Sequence, residues 1–408
     1  MFETMECRSH KVMRQADQLA KYSSDTEGLT RAYLTQEHQQ ANQQLAKWMQ
    51  AAGLETWVDS VGNQWGRKVS PNPELPTIIL GSHSDTVRNA GKYDGNLGIL
   101  LAIEALAALS EAEFPFHIDV VAFGDEEGLR FGTTLIGSSG VAGCFDRAWL
   151  DITDADGISM AQAMRQFGLC PSRAGSDARK PADIGAYLEV HIEQGPVLEH
   201  LELPVGVVEG IAGAKRFHIQ VKGVAGHAGT VPIELRQDAL CAVAEMISTV
   251  ECFAKAEQVV ATVGQCDVRA GAVNVIPGEV SFSLDLRCPE QKRLEVCTEQ
   301  LLTKLERIAQ QRRVSLTTER LYQADALQCA PRLQQCWASA VEKVTRQSAH
   351  LLPSGAGHDG LAMQQLTEVG MLFVRCKKGI SHNPLEAVNE ADVAIALQCL
   401  VKMLQDYQ

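Results

Sequence analysis

The sequence predicts an α/β protein: a larger domain on a mixed, mostly parallel sheet, with a smaller α+β domain inserted in it. Residues 77–123 show a strand, an apolar helix and a second strand, which is typical of parallel sheets. The hydrophobic pattern changes near residue 209 and changes back near residue 325. The chain has 408 residues, and single hydrophobic cores stop growing near ~250–300 residues. We therefore expect one domain from residues 1–208 and 326–408, and another from 209–325.

The first fifty residues read as helical. Leu45, Trp48, Met49 and Ala52 repeat with the spacing of one helix face, and Gly53 is a suitable C-terminal cap. The larger domain then has strands at Thr77–Leu80, Ile118–Phe123, Ala186–Ile192 and Met371–Arg375, and helices at Leu97–Leu109, Leu333–Val344 and Glu390–Leu404. The segment Asp151–Pro181 is loop-like.

The inserted domain has a β-α-β-β-α-β order, which predicts an antiparallel sheet with helices on one face. Its expected elements are strands Arg216–Val221, Val259–Val263, Glu279–Arg287 and Val314–Leu321, and helices Asp238–Ala256 and Glu290–Gln311.

Composition excludes several classes of protein. The 37 Lys and Arg against 50 Asp and Glu leave a formal charge of −13, which disfavours binding to nucleic acids or anionic membranes. No apolar run reaches membrane-spanning length, and the N-terminus lacks the apolar core of a secretory signal. Twelve cysteines include no CxxC pair, so we expect a reducing, cytoplasmic location and no structural zinc.

Polar residues at strand ends carry the functional signal, because open α/β sheets bind ligands there. His83 and Asp85 form H-x-D after the first strand, and Asp85 is placed to orient a metal-bound His83. Asp94, in KYDGNLG, either bridges two cations or simply caps the following helix; alone, the cap is the commoner role.

Three consecutive carboxylates, Asp125–Glu126–Glu127, follow the second strand. They form either a solvated acidic turn or a cation site, and the preceding buried strand favours the cation site. His191 ends a third strand and His382 follows a fourth. A lone histidine is more often not a ligand, but here all these groups converge on one sheet edge.

The resulting ligand set contains only nitrogen and oxygen, which suits Zn²⁺ or Mn²⁺, with Co²⁺ or Ni²⁺ as further options. A bridging carboxylate could hold two ions ~3.5–4 Å apart. Glu126 is then left to act as the general base. The predicted ligands are His83, Asp94, Glu127, His191 and His382.

The inserted domain adds His227, Asn274 and Arg287. Arg287 can clamp a carboxylate, and His227 or Asn274 can donate to a developing oxyanion. Each also has an ordinary explanation: a surface ion pair for Arg287, a turn for Asn274 and a loop position for His227.

The motifs GSHSDTV, KYDGNLG, GDEEG, HIEQG, GHAGT, NVIPG and GISHNP together resemble the M20 metallopeptidase and amidohydrolase family. The likeness runs from about residue 28 to 400. Within the family, the motifs more specifically resemble the branch of N-carbamoyl-L-amino-acid hydrolases, β-ureidopropionases and allantoate amidohydrolases. Peptidase members generally have Asp or Glu where this chain has His191, whereas that branch has HIEQG.

The resemblance implies a di-metal catalytic domain with an inserted lid that also forms a homodimer. One metal would be bound by His83, Asp94 and His191, and the other by Asp94, Glu127 and His382, with Glu126 as the base. The catalytic and substrate-gripping roles would extend to Gln194, Arg216, His227, Asn274, Arg287 and His358.

The implied reaction is hydrolysis of a terminal carbamoyl (ureido) group of a small carboxylate, releasing ammonia and CO₂. Arg216 lies near an arginine of allantoate-cleaving relatives and favours allantoate over an N-carbamoyl-L-amino acid. The alternative enzyme is an aminoacylase or dipeptidase acting on ordinary amides. A metal-free binding protein is disfavoured because all five ligands and Glu126 are present.

Overall fold

The computed structural model describes residues 4–71, 76–269 and 271–407. These residues divide into two compact units, one of residues up to 209 with those from 329 onward, and one of residues 210–328. In chain order the strands are β1 (Glu55–Val58), β2 (Gln64–Lys68), β3 (Thr77–His83), β4 (Ile118–Phe123), β5 (Ile184–Ile192), β6 (Val205–Ile211), β7 (Gly213–Lys222), β8 (Gly226–His227), β9 (Val260–Thr262), β10 (Cys266–Arg269), β11 (Val275–Ile276), β12 (Glu279–Cys288), β13 (Ser315–Ala324), β14 (Leu327–Gln328), β15 (Leu351–Ser354) and β16 (Val369–Val374).

Helices pack against the strands in each unit. The α-helices are α1 (Met5–Leu19), α2 (Gln36–Ala51), α3 (Asn96–Ala108), α4 (Ile136–Ala142), α5 (Met160–Phe167), α6 (Val197–His200), α7 (Ala239–Glu257), α8 (Gln291–Arg312), α9 (Pro331–Thr345), α10 (Gly360–Met363) and α11 (Glu390–Asp406). Short 3₁₀ turns occur at Arg147–Asp151, Pro171–Arg173, Pro181–Asp183, Ile233–Leu235 and Lys377–Gly379.

The first unit is built on a sheet with the order β1-β2-β4-β3-β5-β16-β6, and β15 also pairs with β6. The four central strands β4, β3, β5 and β16 are parallel, while β1, β2 and β6 run antiparallel to their neighbours. The predicted mixed, mostly parallel sheet is confirmed. Its parallel strands deliver their carboxyl ends to one edge.

Helix α3 connects the parallel neighbours β3 and β4. Every residue from 96 to 106 is buried, because the helix lies between the sheet and helices α1 and α11. A helix covered on all sides needs no polar face. This explains why its sequence is apolar except at Asn96 and Glu104, whose side chains have charged partners: Arg31 for Asn96, and Arg8 and Lys11 for Glu104.

The second unit contains an antiparallel sheet with the order β10-β12-β7-β13, and β9 also pairs with β12. Phe217, Ile219 and Val221 alternate toward an apolar cluster that also contains Met246 of α7 and Leu301 of α8. β8 and β11 form a separate two-stranded ribbon. The inserted segment therefore has its own core.

Two local predictions were wrong. Residues 20–35 are not helical: this segment runs beside the residues that follow β3, where Leu29 bridges Ala90. Within the segment read as a loop, α5 forms a helix whose N-cap Ser159 makes a capping box with Gln162, a signal present in the sequence. The predicted cap at Gly53 is confirmed, with a φ of 82° just after α2.

Candidate metal centre and active site

The five predicted ligands meet at the carboxyl edge of the parallel strands. His83 is the last residue of β3, and His191 is the penultimate residue of β5. Glu127 follows β4, and His382 lies in the segment after β16. Asp94 lies just before α3. The common direction of these strands is what brings together side chains that are far apart in sequence.

His83, Asp94 and His191 form a fully buried group. Asp94 Oδ1 lies 3.5 Å from His83 Nε2 and 3.1 Å from His191 Nε2, and the two imidazole nitrogens are 3.4 Å apart. Among the described residues, this buried Asp94 oxygen has no hydrogen-bond donor in acceptable geometry. Such convergence of acceptors fits a bound cation.

Asp94, Glu127 and His382 form a second group. His382 Nε2 lies 3.3 Å from Asp94 Oδ2 and 3.4 Å from Glu127 Oε1. Asp94 therefore presents one oxygen to each group, which is the arrangement expected of a bridging carboxylate.

Asp94 is not the cap of α3. The N-cap is Gly95, without a side-chain capping bond. Gly95 has a φ of 66°, and a Cβ there would approach the main-chain oxygen of His83 to 2.5 Å, so only glycine fits. The alternative role considered for Asp94 is thus excluded.

Further side chains hold Asp94. Gln194 Nε2 donates to Asp94 Oδ2 at 2.8 Å, and Ser381 Oγ donates to the same oxygen at 2.6 Å. Glu386 accepts from Ser381 Oγ at 3.1 Å and from the main-chain N–H of Tyr93 and Asp94 at 2.8 and 3.1 Å. Sequence reasoning missed Ser381 and Glu386, although both lie in or near the GISHNP motif.

The acidic turn after β4 is not solvated. Asp125 has no exposed surface, and Glu126 is 9% exposed. Asp125 adopts a φ of 63°, an unusual conformation for a residue other than glycine. Burial raises the pKa of Glu126 well above its ordinary value; the Glu127 and Asp359 carboxylates add to this rise, and His83 opposes it. A buried carboxyl of this kind is suited to proton transfer.

Asp85 connects the two strand ends. Its carboxylate accepts the main-chain N–H groups of Glu126 at 3.1 Å and Glu127 at 3.2 Å. The nearest acceptor to His83 Nδ1 is the main-chain oxygen of Asp85, at 3.1 Å, whereas its carboxylate lies at 3.7 Å. Asp85 thus orients His83 chiefly through its main chain and the acidic turn through its side chain.

The histidines are oriented for coordination through Nε2. His83 Nδ1 and His191 Nδ1 face main-chain oxygens at 3.1 and 2.9 Å. Because a carbonyl oxygen only accepts, each Nδ1 carries a proton, and each Nε2, which faces Asp94 Oδ1, is the atom that would bind a metal. Hydrogen bonds from His382 to Asp94 and Glu127 raise the pKa of His382 to about 10 in the absence of metal. The nitrogen and oxygen donors fit a divalent cation in each group.

His358 packs against His191 of the first ligand group. Its ring is 4.4 Å from that of His191, and its Nε2 is 2.8 Å from Ser354 Oγ. Burial lowers its pKa well below the ordinary value, so the imidazole is neutral. Its Nδ1 has no hydrogen-bond partner within the described chain.

The remaining predicted residues belong to the second unit. Arg216 and Arg287 share the carboxylate of Asp285: Arg216 Nε and Arg287 Nε each lie 2.9 Å from one of its oxygens. The main-chain N–H of Ala228, next to His227, donates to the main-chain oxygen of Asn274 at 2.9 Å. Arg216 and Arg287 thus form one neighbouring pair, and His227 and Asn274 another.

The ion pair of Arg287 and the turn at Asn274 match the purely structural roles that the sequence analysis gave as alternatives. His227 is exposed on β8.

The chain matches Peptidase family M20/M25/M40 over residues 79–406, and it belongs to that family. Within it, the chain is 39% identical to allantoate deiminase from Arabidopsis thaliana, over 95% of this chain and 80% of that protein. It is 41% identical to N-carbamoyl-L-amino acid amidohydrolase from Geobacillus stearothermophilus, over 91% and 92% of the two chains.

Its fold also resembles that of a solved amidase of the hydantoinase/carbamoylase family from Burkholderia multivorans. The TM-score is 0.89 at 28% identity, covering 97% of both chains. The predicted family and branch are confirmed. In the described residues, the helices are too short or too polar to cross a bilayer.

Proposed function

We propose that this protein hydrolyses the terminal carbamoyl C–N bond of allantoate or an N-carbamoyl-L-amino acid. The overall change is R–NH–CO–NH₂ + H₂O → R–NH₂ + CO₂ + NH₃, where the first product is a carbamate that loses CO₂. The observation that carries the proposal is Asp94, with one oxygen in each of two ligand groups and Glu126 close by. The similarity to allantoate and N-carbamoyl-amino-acid hydrolases supports this class of substrate.

Two divalent ions per subunit would occupy the two groups that share Asp94, and we propose Zn²⁺ or Mn²⁺, with Co²⁺ or Ni²⁺ also compatible. His83 and His191 would complete one site, and Glu127 and His382 the other. Bound there, the ions supply Lewis acidity toward the carbamoyl oxygen and acidify water.

Glu126 acts as the general base in this proposal. It takes a proton from the attacking water and then gives it to the leaving nitrogen. Its low exposure supports the role, because a buried carboxylate regains its proton readily. Asp85 keeps the main chain of Glu126 in place.

Residues beyond the metal ligands would hold the substrate. Gln194 and His358 grip the ureido group, while His227 and Asn274 donate to the carbonyl oxygen as negative charge develops on it. Arg216 and Arg287 bind the substrate carboxylate. Two guanidiniums sharing one Asp285 carboxylate leave a net positive charge, which supports this role.

The second unit would act as a lid and as the contact between the subunits of a homodimer, and the protein would be cytoplasmic. Several large apolar side chains of this unit are exposed, among them Ile233 at 77% and Leu235 at 66%, which suits a protein contact. All twelve cysteines are free, as expected in a reducing compartment.

Ammonia release tests the function directly. The enzyme loaded with Zn²⁺ or Mn²⁺ is incubated with allantoate, N-carbamoyl-L-amino acids, N-acetyl-L-amino acids and dipeptides, with cleavage of the last two followed by amine release. We expect turnover of the ureido compounds and its loss after chelation. Turnover confined to compounds without a ureido group would refute the proposal and favour an aminoacylase or dipeptidase.

A further inference from the structure

Arg31 is a buried arginine that lies outside every motif discussed so far. It belongs to the segment between α1 and α2 and has no exposed surface, unlike every other described lysine or arginine. Burial lowers its pKa only to about 10, and Asp85 opposes that decrease. The guanidinium is therefore charged at neutral pH. A permanent cation buried this deeply needs specific partners.

Its partners lie on two of the three segments that carry the first ligand group, those of His83 and Asp94. Arg31 Nε donates to the main-chain oxygen of Ser84 at 2.6 Å, and Arg31 Nη2 donates to Asn96 Oδ1 at 2.7 Å. Ser84 lies between His83 and Asp85. Asn96 Nδ2 in turn donates to the main-chain oxygen of Asp94 at 3.1 Å. One planar guanidinium thus spans the end of β3 and the Asp94 loop.

The main chain of Arg31 is fixed to the same strand end. Its N–H donates to Thr86 Oγ1 at 2.9 Å, and the N–H of Thr86 donates to its carbonyl oxygen at 3.0 Å. Ser84 and Thr86 flank Asp85, so the strand end is held on both sides of that residue. The guanidinium cannot move without moving the strand end or breaking these bonds.

We propose that Arg31 is a positioning residue of the metal centre: it fixes the separation of His83 and Asp94 and thereby sets the affinity of the first ion. The inference rests on the proposed metal-dependent function. Groups that orient metal ligands typically change metal affinity by ~10–100-fold when altered. Lysine cannot replace this arginine, because an ammonium on a flexible stem does not hold two acceptors in one plane.

A purely structural role would be to secure the N-terminal segment, since Arg31 Nη1 also donates to Leu19 O at 2.8 Å. Arg130 provides a matched control for that role. Its Nη1 donates to the main-chain oxygens of Tyr33 and Leu34 at 3.0 and 2.8 Å. It holds the same segment, but its hydrogen bonds do not involve the residues around His83 or Asp94.

The test compares Arg31→Lys with Arg130→Lys in the full chain. Zn²⁺ affinity and stoichiometry are measured by competition with a chromophoric chelator, alongside thermal unfolding and steady-state kinetics. We expect Arg31→Lys to weaken binding of one ion by ~10-fold or more, with kcat largely restored by excess Zn²⁺. Arg130→Lys lowers the unfolding temperature but leaves Zn²⁺ affinity within about threefold of the unaltered protein. Equal losses of Zn²⁺ affinity in both variants, or no loss in Arg31→Lys, would overturn the inference.

Asn96→Ala keeps the inference testable should Arg31→Lys fail to fold. It leaves Arg31 intact but breaks the link to Asp94, and we expect the same ion to bind ~10-fold more weakly. In the double variant the two losses should not add, because both remove one connection. Unchanged Zn²⁺ affinity in Asn96→Ala would refute the proposal. If the unaltered protein binds no Zn²⁺, the proposed function itself fails instead.

Discussion

Replacement of Glu126 by Gln separates proton transfer from metal binding. The change keeps the size of a side chain that is only 9% exposed. It also keeps the main-chain N–H that donates to Asp85 at 3.1 Å. What it removes is the negative charge and the ability to take a proton. The fold and the ligand positions should therefore survive.

The expected loss is in turnover. General-base catalysis contributes ~10²–10⁴-fold, which corresponds to about 3–5 kcal/mol in the activation free energy. Glu126 does not belong to either group that contains Asp94, so both ions should remain. We expect kcat to fall by ~10²-fold or more, with the metal content unchanged.

Glu127→Gln is the matched control, because it also replaces a carboxylate with an amide, at the next residue in the chain. Glu127 Oε1 lies 3.4 Å from His382 Nε2, so this variant should lose affinity for the second ion, and added metal should partly restore activity. The assay is ammonia release at saturating substrate with metal content measured on the same samples. Near-normal kcat in Glu126→Gln, or loss of both ions from it, would refute the reasoning.

Three other predictions concern Asp85, His382 and Arg287. Asp85→Asn removes one acceptor for the main-chain N–H groups of the acidic turn and should weaken metal binding by ~10–100-fold, measured by chelator competition. Because Asp94 and Glu127 raise the pKa of His382 to about 10, this imidazole must lose a proton to bind metal. Metal affinity should therefore increase from pH 6 to 8, with proton release detectable by calorimetry in buffers of different ionisation enthalpy; pH-independent affinity would contradict this. Arg287→Lys should raise KM about tenfold for a carboxylate substrate, but not for its uncharged amide.

The sheet and the polar residues at its strand ends could be predicted because they depend on local patterns. Apolar runs end at His83 and at the acidic turn, and the direction of parallel strands brings their ends together. The role of Asp94 could not be settled locally, because an acidic residue before a helix is usually a cap. The placement of one Asp94 oxygen in each ligand group depends on tertiary contacts, including those from Gln194 and Ser381.

Arg31 illustrates what a sequence pattern cannot show. Residues near it were expected to continue a helix, yet the segment runs beside the residues that follow β3, where Arg31 and Thr86, 55 residues apart in sequence, exchange hydrogen bonds. Tertiary contacts of this kind override local propensity. Glu386 was missed for the same reason, since its main-chain partners at Tyr93 and Asp94 lie far back in the chain.

Metal stoichiometry tests the shared role of Asp94 most directly. We expect the unaltered protein, loaded with Zn²⁺ or Mn²⁺ and freed of excess ions, to retain two ions per chain by elemental analysis. Asp94→Ala should lose both, because Asp94 contributes to both groups, whereas Asp154→Ala, which removes an acid paired with Arg130, should keep both. Fewer than two ions in the unaltered protein, or two ions retained by Asp94→Ala, would contradict the account.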